Sequence, residues 1–162
     1  MTPTHCITKH NPPHSYGDCL RACVATILDF DALDVPNFAD TGVDADGAFT
    51  HMRLWLSPMS LAPFITAYPG EHNMADLLEM QGALNPTSVY VLFGSVSSGG
   101  DHCVVCEGGS IVHNPAWHGC DLVGPMSNGT WQLLVLGGGG ISAGKGSRET
   151  PADALGPLRT AG

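Results

Sequence analysis

The chain has 162 residues, 43% of them hydrophobic and 13% charged, with a formal net charge of −9. That length and apolar fraction suit one globular domain with a real core. The acidic balance argues against nucleic acid or an anionic membrane as partner, because phosphate contacts need a basic patch. No apolar run approaches the roughly 20 residues that cross a bilayer.

Residues 1–16 are rich in Pro, His and Thr and read as an extended, flexible arm. They contain no basic segment followed by an apolar stretch, so no secretory signal is visible. The six cysteines therefore read as reduced thiols in a cytoplasm rather than as a disulfide framework. Asp18 is a good N-cap. Leu20, Cys23, Val24, Ile27 and Leu28 follow at helical spacing and form one apolar stripe. The segment Asp34-Val35-Pro36-Asn37-Phe38 ends this first unit. Phe49, Met52, Trp55 and Leu56 predict a short second helix closed by Pro58. Residues 61–68 predict a short strand. Asn73 caps a third short helix, with Met74, Leu77 and Leu78 inside and Gly82 after its end. The second half reads as strands: 88–93, a hairpin of 102–106 and 110–114 around Glu107-Gly108-Gly109, and 131–136. From Gly137 onward the composition turns to Gly, Ser and Pro with too few apolar residues to fold alone. Helices first and an antiparallel sheet after them make an α+β plan, with a domain over 1–137 and a disordered tail over 138–162.

Three residues on this plan carry chemistry. Cys19 opens the first helix, where the dipole and unpaired backbone N–H groups favour thiolate over thiol. It lies at the edge of the apolar stripe, so it faces a cleft rather than the deep core. His102 enters the first hairpin strand and Asn114 leaves the second. A nucleophilic cysteine needs a base, and the base needs a third group to hold its ring. Side-chain parity tests the arrangement. A three-residue loop over 107–109, or an equivalent bulge, puts His102 and Asn114 on one face. A two-residue Gly108-Gly109 turn alone puts His113 there and points Asn114 away. The three-residue loop or its equivalent is the expectation.

Gly17-Asp18-Cys19-x-x-Ala22-Cys23, Asp101-His102-x-Val104-Val105 and His113-Asn114-Pro115 together resemble the papain-like cysteine peptidase superfamily. The nearest resemblance is to bacteriocin-processing peptidase domains and a group of uncharacterised phage and bacterial proteins, and it covers roughly residues 14–125. Val35-Pro36-Asn37-Phe38 resembles a segment of that second group. The resemblance implies a papain-like fold, with the nucleophile on an N-terminal helix packed against an antiparallel sheet. It assigns Cys19 as nucleophile, His102 as base and Asn114 as the group orienting the ring. One departure stands out. Such enzymes place a Gln six residues before the nucleophile to line the oxyanion hole, and Pro13 occupies that position here. Asn11, His14 or Ser15 are the candidates to replace it, with the Cys19 N–H as second donor.

Other patterns weigh less. Cys103-Val104-Val105-Cys106 spells a metal-knuckle spacing, but two valines predict a strand, where residues three apart point to opposite faces. His5, Cys6, His10 and His14 match no standard metal spacing. Gly139 to Lys145 nearly spells a phosphate-binding loop but lacks the following Ser or Thr and any helix. Trp117 follows the Asn114-Pro115 corner and is placed to shield the catalytic pair from water. The expectation is a cysteine peptidase that needs no metal and no cofactor. It would act on a protein or peptide in a cytoplasm, with a phage origin suggested by the resemblance. Transglutaminase, deamidase or modifier-deconjugating chemistry on the same triad is the first alternative. A degenerate papain-like binding module is the second.

Overall fold

The computed structural model describes residues 1–11, 14–40, 44–117 and 120–138. After the arm come α1 (Cys19–Leu28), α2 (Ala45–Leu56), β1 (Ala62–Pro69), α3 (Met74–Leu84), β2 (Val89–Val96), β3 (Asp101–Glu107), β4 (Ser110–His113), β5 (Leu122–Gly124) and β6 (Thr130–Gly137). Two 3-10 turns, Ala32–Asp34 and Ser57–Met59, join the helical part. The result is an α+β architecture: three helices and an antiparallel six-stranded sheet in the order β1-β6-β2-β3-β4. β5 pairs with the end of β2 at Ser95 and Val96, beyond the stretch Val91–Phe93 that pairs with β6. The short β5 carries no periodicity of its own and was not legible as a strand.

Each face of the sheet carries its own core. On one face α1 and α2 bury Cys23, Val24, Ala25, Met52 and Leu56 against Val91, Cys103, Val105 and Leu134. On the other, Leu77 of α3 packs with Tyr90, Leu92, Val104, Cys106, Trp131 and Leu133. Alternation along β2, β3 and β6 sends successive side chains to opposite cores. This explains why β3 is apolar from Cys103 to Cys106 without a polar face. It also separates Cys103 from Cys106, one in each core, so this pair does not chelate one ion. Among the described residues no group of His, Cys, Asp or Glu is arranged to hold a metal.

The helix ends follow local chemistry in two cases and depart from it in two. Asp44 accepts from the Gly47 N–H at 2.9 Å, and Asn73 accepts from the Asp76 N–H at 2.9 Å; both are ordinary side-chain caps. Asp18, expected to cap α1, makes no capping bond. Gly82 does not end α3: the helix continues to Leu84. A Cβ at Gly82 would lie 3.1 Å from the Gly109 Cα. The missing side chain lets α3 sit directly on the β3–β4 turn, and that tertiary contact outweighs the helix-ending tendency of glycine.

No helix among the described residues is long and apolar enough to cross a membrane. β6 ends at Gly137. From 139 onward the tail expected over 138–162, with the phosphate-loop-like segment inside it, lies outside the described residues, as do Pro13 and His118.

Candidate active site

The β3–β4 ribbon sets the geometry. Glu107 pairs with Ser110 across a two-residue Gly108-Gly109 turn, so the three-residue loop does not form. Gly108 has φ +53°, and a Cβ there would lie 2.4 Å from the Pro86 carbonyl oxygen, which makes this tight turn a glycine position. By itself that turn would bring His113 to the side of His102. A bulge intervenes: Cys106 faces Ile111, but Val105 faces His113, leaving Val112 as the extra residue. One further step of the shifted register sets Asn114 against Val104, on the same side of the ribbon as His102. The bulge restores the parity that the turn lost.

The side chains follow. His102 Nε2 lies 3.0 Å from Asn114 Oδ1. Asn114 is itself held from both ends, because its Nδ2 donates to the Cys120 carbonyl at 3.2 Å and its Oδ1 also accepts from the Ala116 N–H at 3.1 Å. The His102 ring is buried, and it and the Cys19 thiol are near enough for each to shift the other's proton affinity. α1 packs on β2 and β3, which delivers Cys19, its first residue, to the end of β3. The three residues singled out by sequence are therefore brought together. Asn11 and His14 are both exposed, on a turn in which the Asn11 and Ser15 backbones pair. No hydrogen bond of either reaches Cys19 or His102.

The electrostatics differ from a simple helix-dipole expectation. The hydrogen bond with Cys103 and burial push the Cys19 thiol well above its ordinary range, while the His102 hydrogen bond and charge pull it down. The first two effects prevail, so the sulfur holds its proton more tightly than an ordinary thiol does. Burial lowers His102, but its hydrogen bond to Cys19, the sulfur's charge and Asn114 together raise it above the usual histidine value. The pair is thus coupled, each member's proton affinity set by the other.

Asp18 has another task than capping. It is buried, forms an ion pair with Arg21 and accepts from the Ile7 and Thr8 N–H groups at 3.2 and 3.1 Å. It thereby fastens the arm across the start of α1. Further bonds tie down the arm. Cys6 N–H donates to the Pro115 carbonyl at 2.9 Å, Thr4 N–H donates to Thr26 Oγ1 at 3.0 Å, and His113 Nε2 lies 2.7 Å from the Thr4 carbonyl. Trp117 Nε1 donates to the Cys6 carbonyl, and the Trp117 ring stacks on His5 at 4.4 Å. The arm expected to be flexible is an ordered wall of the site. Sequence reasoning missed Cys6 and Cys103 as neighbours of the pair. The one signal for Cys103 was its place next to His102 on a wholly apolar strand.

Because Asp18 turns away, the first intrahelical bond of α1 runs from the Ala22 N–H to the Asp18 carbonyl. The N–H groups of Cys19, Leu20 and Arg21 precede it and have no acceptor within the helix. They form a small patch of positive potential beside the sulfur. All six cysteines are free thiols. No protein-family model, curated protein or solved structure matches this chain.

Proposed function

We propose that this chain is a papain-like cysteine hydrolase acting on a peptide or isopeptide bond through Cys19, His102 and Asn114. The observation that carries the reading is a single imidazole held on one side by Asn114 Oδ1 at 3.0 Å and coupled on the other to a helix-start thiol. With Nε2–H donated to Asn114, the lone pair of the neutral ring sits on Nδ1. That atom accepts the Cys19 proton as the sulfur attacks a substrate carbonyl carbon. The carbonyl oxygen gains charge, and the uncapped Cys19 N–H is the donor nearest to it. The imidazolium then protonates the leaving amine, and a thioester remains on Cys19. Water, deprotonated by His102, attacks the thioester, expels the thiol and releases the acid.

Alkylation tests this directly. Iodoacetamide should modify Cys19 far faster than Cys120, which is also partly exposed, and His102→Ala should erase that preference. Turnover of p-nitrophenyl acetate should show an acyl burst on Cys19 that is lost in the same variant. Equal, slow labelling of Cys19 and Cys120 would overturn the reading.

Three observations favour a second reading, a papain-like binding module without turnover. The Gln expected before the nucleophile is missing, Asn11 and His14 are exposed, and the Cys19 thiol is held up by Cys103 and burial. A labelled but non-hydrolysing Cys19 would select it. Transglutaminase chemistry uses the same first step with an amine as acceptor in place of water, and deamidase chemistry keeps water but takes a Gln side-chain amide as acyl donor. Amine incorporation identifies the first, and ammonia release from a Gln peptide without amine incorporation identifies the second.

A further inference from the structure

Hydrolysis leaves two sulfurs beside the nucleophile without a task. Cys23 Sγ lies 3.7 Å from Cys103 Sγ and 3.6 Å from the Cys103 carbonyl oxygen. Cys19 and Cys23 are four residues apart on α1, hence on one face of the helix with one above the other. That face packs on β3, and Cys103 is the neighbour that most raises the proton affinity of the Cys19 thiol. The three sulfurs form a column with Cys103 in the middle. Both Cys23 and Cys103 are fully buried, whereas Cys19 is partly exposed. An oxidant dissolved in water therefore meets Cys19 first, and the other two only through it.

We propose that this column is a redox modification site: a peroxide-class oxidant converts Cys19 to a sulfenic acid, and Cys103 resolves it as a disulfide. His102 takes the Cys19 proton, and the thiolate attacks one peroxide oxygen. The O–O bond breaks, and the hydroxide that leaves takes the proton from His102 and departs as water. The Cys103 thiol then attacks the sulfenic sulfur. The S–OH bond breaks, a second water leaves, and Cys19 and Cys103 are joined. Attack by the Cys23 thiol on the Cys103 sulfur moves the bond to Cys23–Cys103 and returns Cys19 as a thiol. Two thiols lose two hydrogens and one peroxide becomes two waters. The column spares the nucleophile from the sulfinic and sulfonic acids that a solitary active-site cysteine reaches irreversibly. Cys6 is the competing neighbour, but its side chain hydrogen-bonds Asp18 and its backbone is fixed by Pro115 and Trp117.

The test uses the full chain and reads mass rather than turnover, so it fails separately from the hydrolytic reading. The protein is treated with hydrogen peroxide and denatured, and remaining thiols are blocked with N-ethylmaleimide for peptide mapping. The expected product is about 2 Da lighter before blocking, with Cys103 linked to Cys19 or Cys23 and with Cys6, Cys106 and Cys120 still blocked. A dithiol reductant should restore all six thiols. Cys103→Ala should give no disulfide and should instead collect the dimedone adduct of Cys19, followed by the sulfinic acid. Should that buried substitution fail to fold, the wild-type map decides alone. Sulfinic acid at Cys19 with Cys23 and Cys103 fully blocked, a Cys6–Cys19 disulfide, or oxidation of Cys6, Cys106 or Cys120 while Cys19, Cys23 and Cys103 all remain blocked would each overturn the proposal.

Discussion

The two ends of the β3–β4 ribbon are built on opposite principles. At the turn end, the backbones of Gly82, Gly108 and Gly109 touch neighbouring backbone directly, and a Cβ at any of them would lie within 3.1 Å of it. At the open end, His102, Asn114 and His113 use polar side chains to reach Cys19, Ala116, Cys120 and the arm. The turn end is held by the absence of atoms and tolerates no additions. The open end is held by hydrogen bonds, each of which a single side-chain substitution removes. A site that must exchange protons belongs at the second kind of end, braced by the first.

The sharpest way to break this comparison is to delete Ile111 and Val112 together. The two-residue turn then pairs His113 with Cys106 and Asn114 with Val105, so His113 replaces Asn114 on the His102 side. Selective alkylation of Cys19 should fall by about 10²-fold, in the range of lost base positioning, while circular dichroism retains the α+β signature. Unchanged selectivity would mean that parity does not build the site.

Gly108→Ala attacks the other end. It forces an alanine into left-handed backbone against the Pro86 carbonyl, and should cost about 2–3 kcal/mol of stability. The reactivity of Cys19 in the folded fraction should not change. Denaturant unfolding combined with alkylation in native buffer separates the two effects, and a site-specific loss would contradict the division of labour.

His113→Ala removes the ring that meets the Thr4 carbonyl, and should lower stability by about 1 kcal/mol. The accompanying signature is faster amide exchange confined to residues 4–8, measured by mass spectrometry. Exchange spread evenly over the sheet would show that the arm is not a separate clamp.

The smallest expected effect is on pH dependence. His102 must be neutral to accept the thiol proton, and its pKa is raised above the ordinary histidine value. The acid limb of Cys19 alkylation should accordingly lie on the alkaline side of pH ~6.5. Asn114 is one of the groups that raise it, so Asn114→Ala should move that limb toward lower pH. A limb that stays fixed or moves upward would remove Asn114 from the electrostatics of the pair.

Much of this molecule was legible in the chain itself, where interactions act over a few residues. The apolar stripe of α1, the Asn73 cap, the apolar strands at 88–93, 102–106 and 131–136, and the candidates Cys19, His102 and Asn114 all follow from spacing and local motif. Asp18 looked like a cap because capping is local chemistry. It became an anchor because an arm ten residues upstream supplied better donors. Gly82 looked like a helix end because only a partner turn reveals why a helix would keep a glycine inside.

What only the tertiary structure decided is register and mutual burial. Parity across a hairpin turns on one extra residue, and no local pattern marks Val112 as that residue rather than its neighbours. The proton affinity of Cys19 turns on Cys103, 84 positions away in numbering and beside it in space. Helical spacing and capping are settled by each segment's own atoms. Strand pairing and the charge state of a buried sulfur depend on which distant atoms are brought against it.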